Sequence, residues 1–514
     1  MSDDHKRTSY IPCVTSNRLR CPDGAKFVRV LGLAAGLWLV GLFPSILTHT
    51  AWAASLDDPF KTDKLTSPGP LGHAAVGLAR NPCVFPPTPG PLSLIDVVDR
   101  VLCRNPQTRE VWAAARVQAA QVGVADAAYL PTLNADASLT NNHASTGSSN
   151  AAAQGNTRFS ETSGSVTLSY LLYDFGGRQA TRESARQLLA AANATQDSTV
   201  QNLFLSGAQG YYQVLAAQAA VDSEKEAERS SLEGFKAAQA RYIAGVGTPA
   251  DRLQAETAYS QAVLNRIRAE GVARNAQGAL ANRMGYDADF AFTLMPSSAP
   301  QPSLATFEHN VGELIAEARR NRPDLAAAEA QVKSAEADIK SVRASGMPSI
   351  SLSTSAAETD FHPGNTFRNS SIGVSISIPL FSGFSTSYQV RAAKETLAVK
   401  VAQRDSISQQ VALDVWNAYQ DLNTETQAIR SSEDLVASAT QNERVALGRY
   451  KAGAGIILDV INAQAQLANA RLQLIQSRLN WNVARATLAQ SLGRIGYDML
   501  DTLAGGAPAN AGQK

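Results

Sequence analysis

A mainly α-helical chain that also carries four two-faced β-strands, built as an internal twofold repeat, is the fold class this sequence predicts. Three observations predict it. First, Arg241, Tyr242, Gly245, Gly247 and Asp251 recur as Arg449, Tyr450, Gly453, Gly455 and Asp459, at a constant offset of 208 (449 − 241 and 459 − 251). Second, each copy lies between long helix-like runs, the spans 178–242 and 385–450 containing no proline. Third, four short stretches alternate apolar with Ser, Thr or Asn at a period of two, as half-exposed strands do.

The 514 residues are 44% hydrophobic and 18% charged, room for several domains or one elongated repeat protein. Aromatic residues make up only 6%, which suits small side chains packing between long helices better than a large globular core. Residues 1–53 read as an export signal with a long basic lead: Lys26 and Arg29 precede an apolar run over 30–47, and Ala51, Trp52 and Ala53 match a small-residue cleavage site. A retained membrane anchor is the alternative, against which Pro44 and the cleavage site weigh. The mature chain then begins near Ala54, and beyond residue 53 it carries 40 Lys/Arg against 42 Asp/Glu. That balance gives no footing for nucleic acid. Cys13 and Cys21 fall in the signal, leaving Cys83 and Cys103 as an even pair in an oxidising compartment; a disulfide is expected, two free thiols being the alternative. Neither follows a lipobox-like run at the cleavage site, so no lipid anchor is expected.

In chain order, residues 54–91 are a proline-rich lead without a core of its own, with Pro82, Pro86, Pro87, Pro89 and Pro91 crowded together. The first repeat, 92–285, opens with a helix to about Tyr129, interrupted at Asn105 and Pro106 and stopped by Pro131. Leu133, Ala135, Ala137 and Leu139 then alternate with polar residues as a strand. A Ser/Asn/Gly/Ala stretch over 141–160 reads as a mobile loop, and Val166, Leu168, Tyr170 and Leu172 as a second strand. A helix over 178–242 would be on the order of 100 Å long at ~1.5 Å per residue. A tight turn at Gly245 and Gly247 follows, or on the plainer view a surface turn. Thr248, Pro249 and Asp251 supply an N-cap, an N1 proline and an early carboxylate for a returning helix to about Met284. A low-complexity connector spans 286–310.

The second repeat, 311–494, follows the same order before a tail over 495–514. Arg322 and Pro323 answer Asn105 and Pro106, and Pro348 answers Pro131. The strands place Ile350, Leu352 and Thr354, then Ile372, Val374, Ile376, Ile378 and Leu380, against serines and Gly373. In the second long helix Val411, Val415, Ala418, Leu422, Ile429, Val436 and Ala439 form a coiled-coil seam whose remaining positions fall on Glu425 and Ser432, Glu425 fitting worst. The last helix shows two seams, one through Ile461, Ala465, Ala468, Leu472, Ile475 and Leu479, the other through Leu467, Leu474, Trp481 and Leu488. Two seams mean two neighbours.

Strands with one apolar and one Ser/Thr face suit a transmembrane barrel, and equally a soluble sandwich. Four strands cannot close a barrel, for which about eight is the minimum, so the membrane reading requires oligomerisation. The short helix before each hairpin and the one after each turn together match the long helix in length, which places them end to end beside it.

The twofold order of short helix, hairpin, long helix, glycine turn and returning helix, with Arg-Tyr-x-x-Gly-x-x-x-x-x-Asp at both turns, resembles the TolC family of outer-membrane efflux and secretion channels over about 92–494. The resemblance implies a homotrimer, with twelve strands in one outer-membrane barrel continued by a twelve-helix coiled-coil tunnel across the periplasm. It implies a periplasmic adaptor protein docking on Gly245, Gly247, Gly453 and Gly455, and an inner-membrane ABC transporter or proton-driven pump. By position, the family's gate and selectivity residues carry over to Tyr450, Asp459 and Asp251. Asn462 stands where a second acid can lie and Gly455 where a basic linker can lie, which leaves open how the closed tip is held. Asp459 also reads as an ordinary helix N-terminal acid. Tyr170, Tyr173, Phe381 and Phe384 are candidate girdle aromatics or packing residues. Type I protein secretion is the expected task, by family analogy from the missing lipid anchor; drug or small-molecule efflux is the alternative, and a trimeric coiled-coil adhesin a remote one. No Walker A loop, Gly-x-Ser-x-Gly or His-Glu-x-x-His occurs and the six histidines are scattered, so no enzyme, cofactor or metal is expected.

Overall fold

The computed structural model describes residues 58–71, 83, 85, 90–146, 155–295 and 311–495. The export signal at 1–53, residues 296–310 of the connector and the tail beyond 495 lie outside the described residues. The chain divides into the units Met1–Pro59 and Phe60–Lys514, and the second holds every element named below. In order these are α1 (Leu94–Arg104), α2 (Pro106–Ala127), β1 (Thr132–Thr146), β2 (Gly155–Tyr173), α3 (Gly177–Ile243), α4 (Pro249–Arg283), α5 (Val311–Asn321), α6 (Pro323–Ala344), β3 (Ser349–His362), β4 (Thr366–Ser377), α7 (Ser385–Lys451) and α8 (Ile457–Ser491).

The two long helices each run 67 residues, about 100 Å. The breaks α1/α2 and α5/α6 have one cause: Pro106 and Pro323 each occupy the first position of the second helix, where the missing N–H costs no bond. Asn105 caps α2 by accepting from Gln107 N (2.9 Å), whereas Arg322 instead forks onto Asp324 (2.6 and 3.0 Å) and reaches Asp414 of α7 (2.7 Å).

Short helices do meet end to end beside the long ones. Both α2 and α4 pack along α3, and the Asn105 amide donates to Arg283 O at the end of α4 (3.4 Å). Gly285, at φ +73°, ends α4 so close to α1 that a Cβ would lie 2.9 Å from Arg104 O. In the second repeat Gly493, at φ +71°, ends α8 with a Cβ position 2.8 Å from Asn321 O. The two junctions are the same joint made twice.

The four strands form one antiparallel sheet in the order β1-β2-β3-β4, leaving β1 and β4 as its edges. The register sorts the faces: Leu133, Leu168, Thr354 and Ile372 form one row across the sheet, Asn134, Thr167, Ser355 and Ser371 the next. Serine hydroxyls bridge the strands at Ser138–Ser163, Ser351–Ser375 and Ser355–Ser371 (2.8–2.9 Å). Two expectations need correction. Residues 141–146 and 155–160 are strand, not loop, because backbone pairing continues after the apolar alternation fades. Conversely β4 stops at Ser377, short of Ile378 and Leu380, because Pro379 has no N–H for the ladder.

The largest core joins Val97, Val98 and Val101 of α1 to Phe204, Tyr211 and Tyr212 of α3, Leu280 of α4 and Ala486 and Ala489 of α8. Residues expected as connector belong to it: Tyr286, Phe292 and Leu294 pack there and Leu92 bridges Leu294. The lead is also docked, with Gln196 of α3 donating to Gly69 O and Pro70 O (3.2 and 3.1 Å) and Trp112 Nε1 to Ser67 O (3.2 Å). Cys83 is bonded to Cys103 of α1, with Cα atoms 5.4 Å apart.

Along α7 the buried line runs Val411, Val415, Ala418, Leu422, Thr426, Ile429, Ser432 and Ala439. Thr426, not Glu425, occupies the central position, because four-residue steps on both sides of Leu422 follow the natural 3.6-residue pitch. Thr426 Oγ1 donates to Leu422 O (2.7 Å) and accepts from Trp481 Nε1 (3.2 Å), while Glu425 accepts from Asn480 at the side (3.1 Å). Helix α8 packs on α7 and on α3, the two neighbours its pattern requires. Within one chain Ala465 is nevertheless exposed, the buried positions beside it being Ala463 and Gln464.

Candidate functional site at the paired turns

The two glycine turns end α3 and α7 by the same device. Gly245 (φ +72°) donates to Tyr242 O and Val246 N to Arg241 O, both 3.0 Å. Gly453 (φ +78°) donates to Tyr450 O (3.0 Å) and Ala454 N to Arg449 O (2.9 Å). Each pair satisfies the last carbonyls of its helix through a left-handed residue, which glycine adopts without strain. Gly247 and Gly455 serve close approach instead: a Cβ there would lie 3.0 Å from Tyr242 N and 3.3 Å from Tyr450 N respectively. All four glycines expected at the turns therefore have a conformational or steric reason to be glycine.

The returning helices start differently. Thr248 and Asp251 form a reciprocal capping box on α4, Asp251 N donating to Thr248 Oγ1 (3.1 Å) and Thr248 N to Asp251 Oδ2 (3.4 Å). Ile456 holds the equivalent place before α8 and offers no side-chain cap. Asp459 is exposed in the first turn of α8, with no side-chain hydrogen bond or ion pair among the described residues.

Tyr450 is the buried centre of the site, 2% exposed and packed in a small cluster with Ala238, Ala255, Ile457 and Val460. Arg241 covers it from the other repeat: Nη1 donates to Tyr450 O (3.0 Å), Nη2 to Val246 O (3.3 Å), and the guanidinium lies 5.1 Å from the ring centroid. The Tyr450 hydroxyl is buried with no hydrogen-bond partner among the described residues. Burial pushes its pKa up, Asp251 adds repulsion in the same direction, and Arg241 works against both. Tyr450 and Asp251 are thus brought into electrostatic contact, Asp459 is left outside, and Arg241 joins the group. Sequence reasoning placed Arg241 in the motif and missed it as a site residue; its recurrence as Arg449 was the available signal.

A family model described as outer membrane efflux protein matches residues 97–286 and 314–494, nearly all of both repeats. The chain belongs to that family. It is 27% identical over 447 residues to protein CyaE of Bordetella pertussis, covering 85% of this chain and 91% of the relative. It is 23% identical over 428 residues to outer membrane protein TolC of Escherichia coli, covering 78% and 82%. Among solved structures, the outer-membrane channel OprN superposes with a TM-score of 0.69 at 21% identity, over 78% of this chain and 89% of that one, a likeness of fold. As an outer membrane efflux protein the chain is a duct for secretion or efflux, seated in the outer membrane and extending into the periplasm. Membership of an export-channel family assigns it transport, not catalysis.

Proposed function

We propose that three copies of this chain assemble into one duct. The carrying observation is a four-stranded sheet with an apolar face and two open edges, continued by helical hairpins that end at paired turns. An open edge in a membrane leaves unpaired backbone groups, so β4 of one copy pairs with β1 of the next until twelve strands close. The helices then continue as a twelve-membered ring with the turns at its periplasmic tip.

A periplasmic adaptor docks on that tip. Ile243, Val246, Ile456 and Leu458, all 47% or more exposed, surround Gly245, Gly247, Gly453 and Gly455 and offer an apolar surface to a partner. An inner-membrane ABC transporter or proton-driven pump supplies the energy. Tyr450 and Asp251 hold the closed tip, and three copies of Asp459 around the axis concentrate negative potential that favours cations. The cargo is a polypeptide of type I secretion. Small-molecule efflux is the second reading, favoured by the efflux wording of the family description.

Single-channel conductance of the purified chain in a planar bilayer, alongside its native mass, tests the duct. Small cation-selective steps from a species of trimer mass are expected; a stable soluble monomer overturns the reading. For cargo, loss of the chain should abolish secretion of a polypeptide into the medium, whereas hypersensitivity to small toxicants with secretion intact would favour efflux.

A further inference from the structure

Three phenylalanines interrupt the Ser/Thr face of the sheet at the end away from the helices. Phe159, Phe361 and Phe367 lie an even number of residues from Thr167, Ser355 and Ser371, so all three share that polar face. They touch one another: the ring centroids of Phe159 and Phe361 are 5.8 Å apart and those of Phe361 and Phe367 5.7 Å, the second pair edge to face. Phe361 bridges the other two, and Phe367 remains 60% exposed. Glu161 stands on the same face, directly opposite Phe361 in the β2–β3 register and two residues from Phe159.

Charge divides between the two faces. Arg158 and Arg368, the basic residues of β1–β4, fall with Glu358 and Asp360 on the face of Leu168, Thr354 and Ile372. There Arg368 forks onto Glu358 (3.1 and 3.3 Å) and Arg158 donates to His143 Nδ1 (3.1 Å), so the formal charges cancel. The Ser/Thr face holds Asp136 and Glu161 and no Lys or Arg in any of the four strands. Near its end the sheet also curls toward that face: Glu161, Ser163, Thr359 and Phe361 are half-buried, while Thr162, Gly164, Glu358 and Asp360 between them are exposed. A concave wall with accessible ring faces and acids that no base offsets is complementary to an organic cation, whose charge and apolar surface both find partners there.

We propose that Phe159, Phe361, Phe367 and Glu161 form a binding site for a lipophilic organic cation. In the duct proposed above, on which this assignment rests, the concave Ser/Thr face lines the bore and the site recurs in each copy near the mouth. The cationic centre sits over the ring faces beside the Glu161 carboxylate, and the aryl or alkyl arms of the ligand displace water from Phe361 and Phe367. Exposed cation–π contacts are individually small, so such a site retains its ligand briefly and releases it. Cross-strand ring packing that merely supports the hairpins is the plainer role for the phenylalanines. That role needs no acid beside the rings and gives no preference for positive charge.

The test titrates tetraphenylphosphonium into the full chain in detergent, with the detergent blank subtracted and native mass and melting temperature measured on the same samples. The parent should bind it, and should bind tetraphenylborate, an anion of similar size, at least about tenfold more weakly. Phe361→Leu, which keeps the apolar bulk without the ring, and Glu161→Gln should each weaken tetraphenylphosphonium about 3- to 10-fold at a melting temperature close to the parent's. Glu358→Gln, on the other face, should leave the affinity unchanged. No binding to the parent, equal affinity for the two ions, or unchanged affinity in both Phe361→Leu and Glu161→Gln overturns the site; lower melting with unchanged affinity is what ring packing alone produces. The expected affinities on a protein of monomer mass would support the site and overturn the duct. Trimeric channels whose current in a planar bilayer is untouched by bound tetraphenylphosphonium would overturn its place in the bore.

Discussion

Arg241 and Tyr450, 209 residues apart in the chain, form a clasp at the turns, with a 3.0 Å hydrogen bond to the tyrosine carbonyl and the guanidinium 5.1 Å from the ring centre. The contact ties the end of α3 to the end of α7, so separating the two repeats at the tip must break it. It brings a positive charge from the first repeat to a turn at which Gly455 carries no side chain.

Arg241→Ala should therefore loosen the closed tip. The lost cation–π contact and hydrogen bond together are worth about 1–2 kcal/mol. Single-channel recordings should show larger or longer openings than the parent, with native mass unchanged. Arg241→Lys should be intermediate, since lysine keeps the charge but not the planar fork that serves two carbonyls at once. Identical conductance in all three proteins would remove the clasp from the gate.

Asp459 is exposed and makes no capping bond, so its charge is available to the solvent it faces. Asp459→Asn should shift the reversal potential in a salt gradient towards zero as cation preference falls. It should leave the melting temperature nearly unchanged, because an exposed first-turn acid contributes only about 0.3–1 kcal/mol. An unchanged reversal potential with a small loss of stability would reduce Asp459 to a helix-terminal acid.

Most of the architecture is legible in the sequence because the repeat supplies its own control. Proline-free spans bounded by Asn105, Arg322 and the glycine turns mark the helices, and each boundary is seen twice. The strand ends are harder: pairing over 141–146 and 155–160 is carried by backbone groups that leave no side-chain pattern, and Pro379 cuts β4 before its apolar alternation ends. A strict heptad puts Glu425 in the seam, whereas the helix buries Thr426, four residues beyond Leu422. Arg241 shows the deeper limit. Its partner comes from the other repeat, and no local spacing announces a contact across 209 residues.

The end-to-end joints predict a contrast among glycines. Gly285 and Gly493 combine positive φ with a backbone oxygen 2.9 and 2.8 Å from the Cβ position, so Gly285→Ala and Gly493→Ala should each destabilise by at least about 1–2 kcal/mol. Gly271, inside α4 with nothing within 4 Å of its Cβ position, should gain about 0.5–1 kcal/mol as alanine. Thermal unfolding of the three variants side by side checks both directions; equal shifts would mean the joints are not rigid.

Tyr211 gives the fold an alkaline limit. Its hydroxyl donates to Met295 O (2.7 Å) inside the main core, and burial, with repulsion from Tyr212 and Asp96, pushes its pKa up to about 12 from the ordinary 10.0. Below pH ~10 both folded and unfolded chains hold the proton, and the contribution of this group to stability is fully present. Above it the unfolded chain ionises while the folded chain does not, so stability falls by up to about 1.4 kcal/mol per pH unit until the folded group titrates as well. The loss is complete above the folded pKa and amounts to on the order of 2 kcal/mol. Tyr211→Phe has no proton to lose and should melt lower at neutral pH, for want of the bond to Met295, yet lose less between about pH 9 and about pH 11.5. Parallel melting curves of parent and variant across that range would show that Tyr211 does not set the alkaline limit.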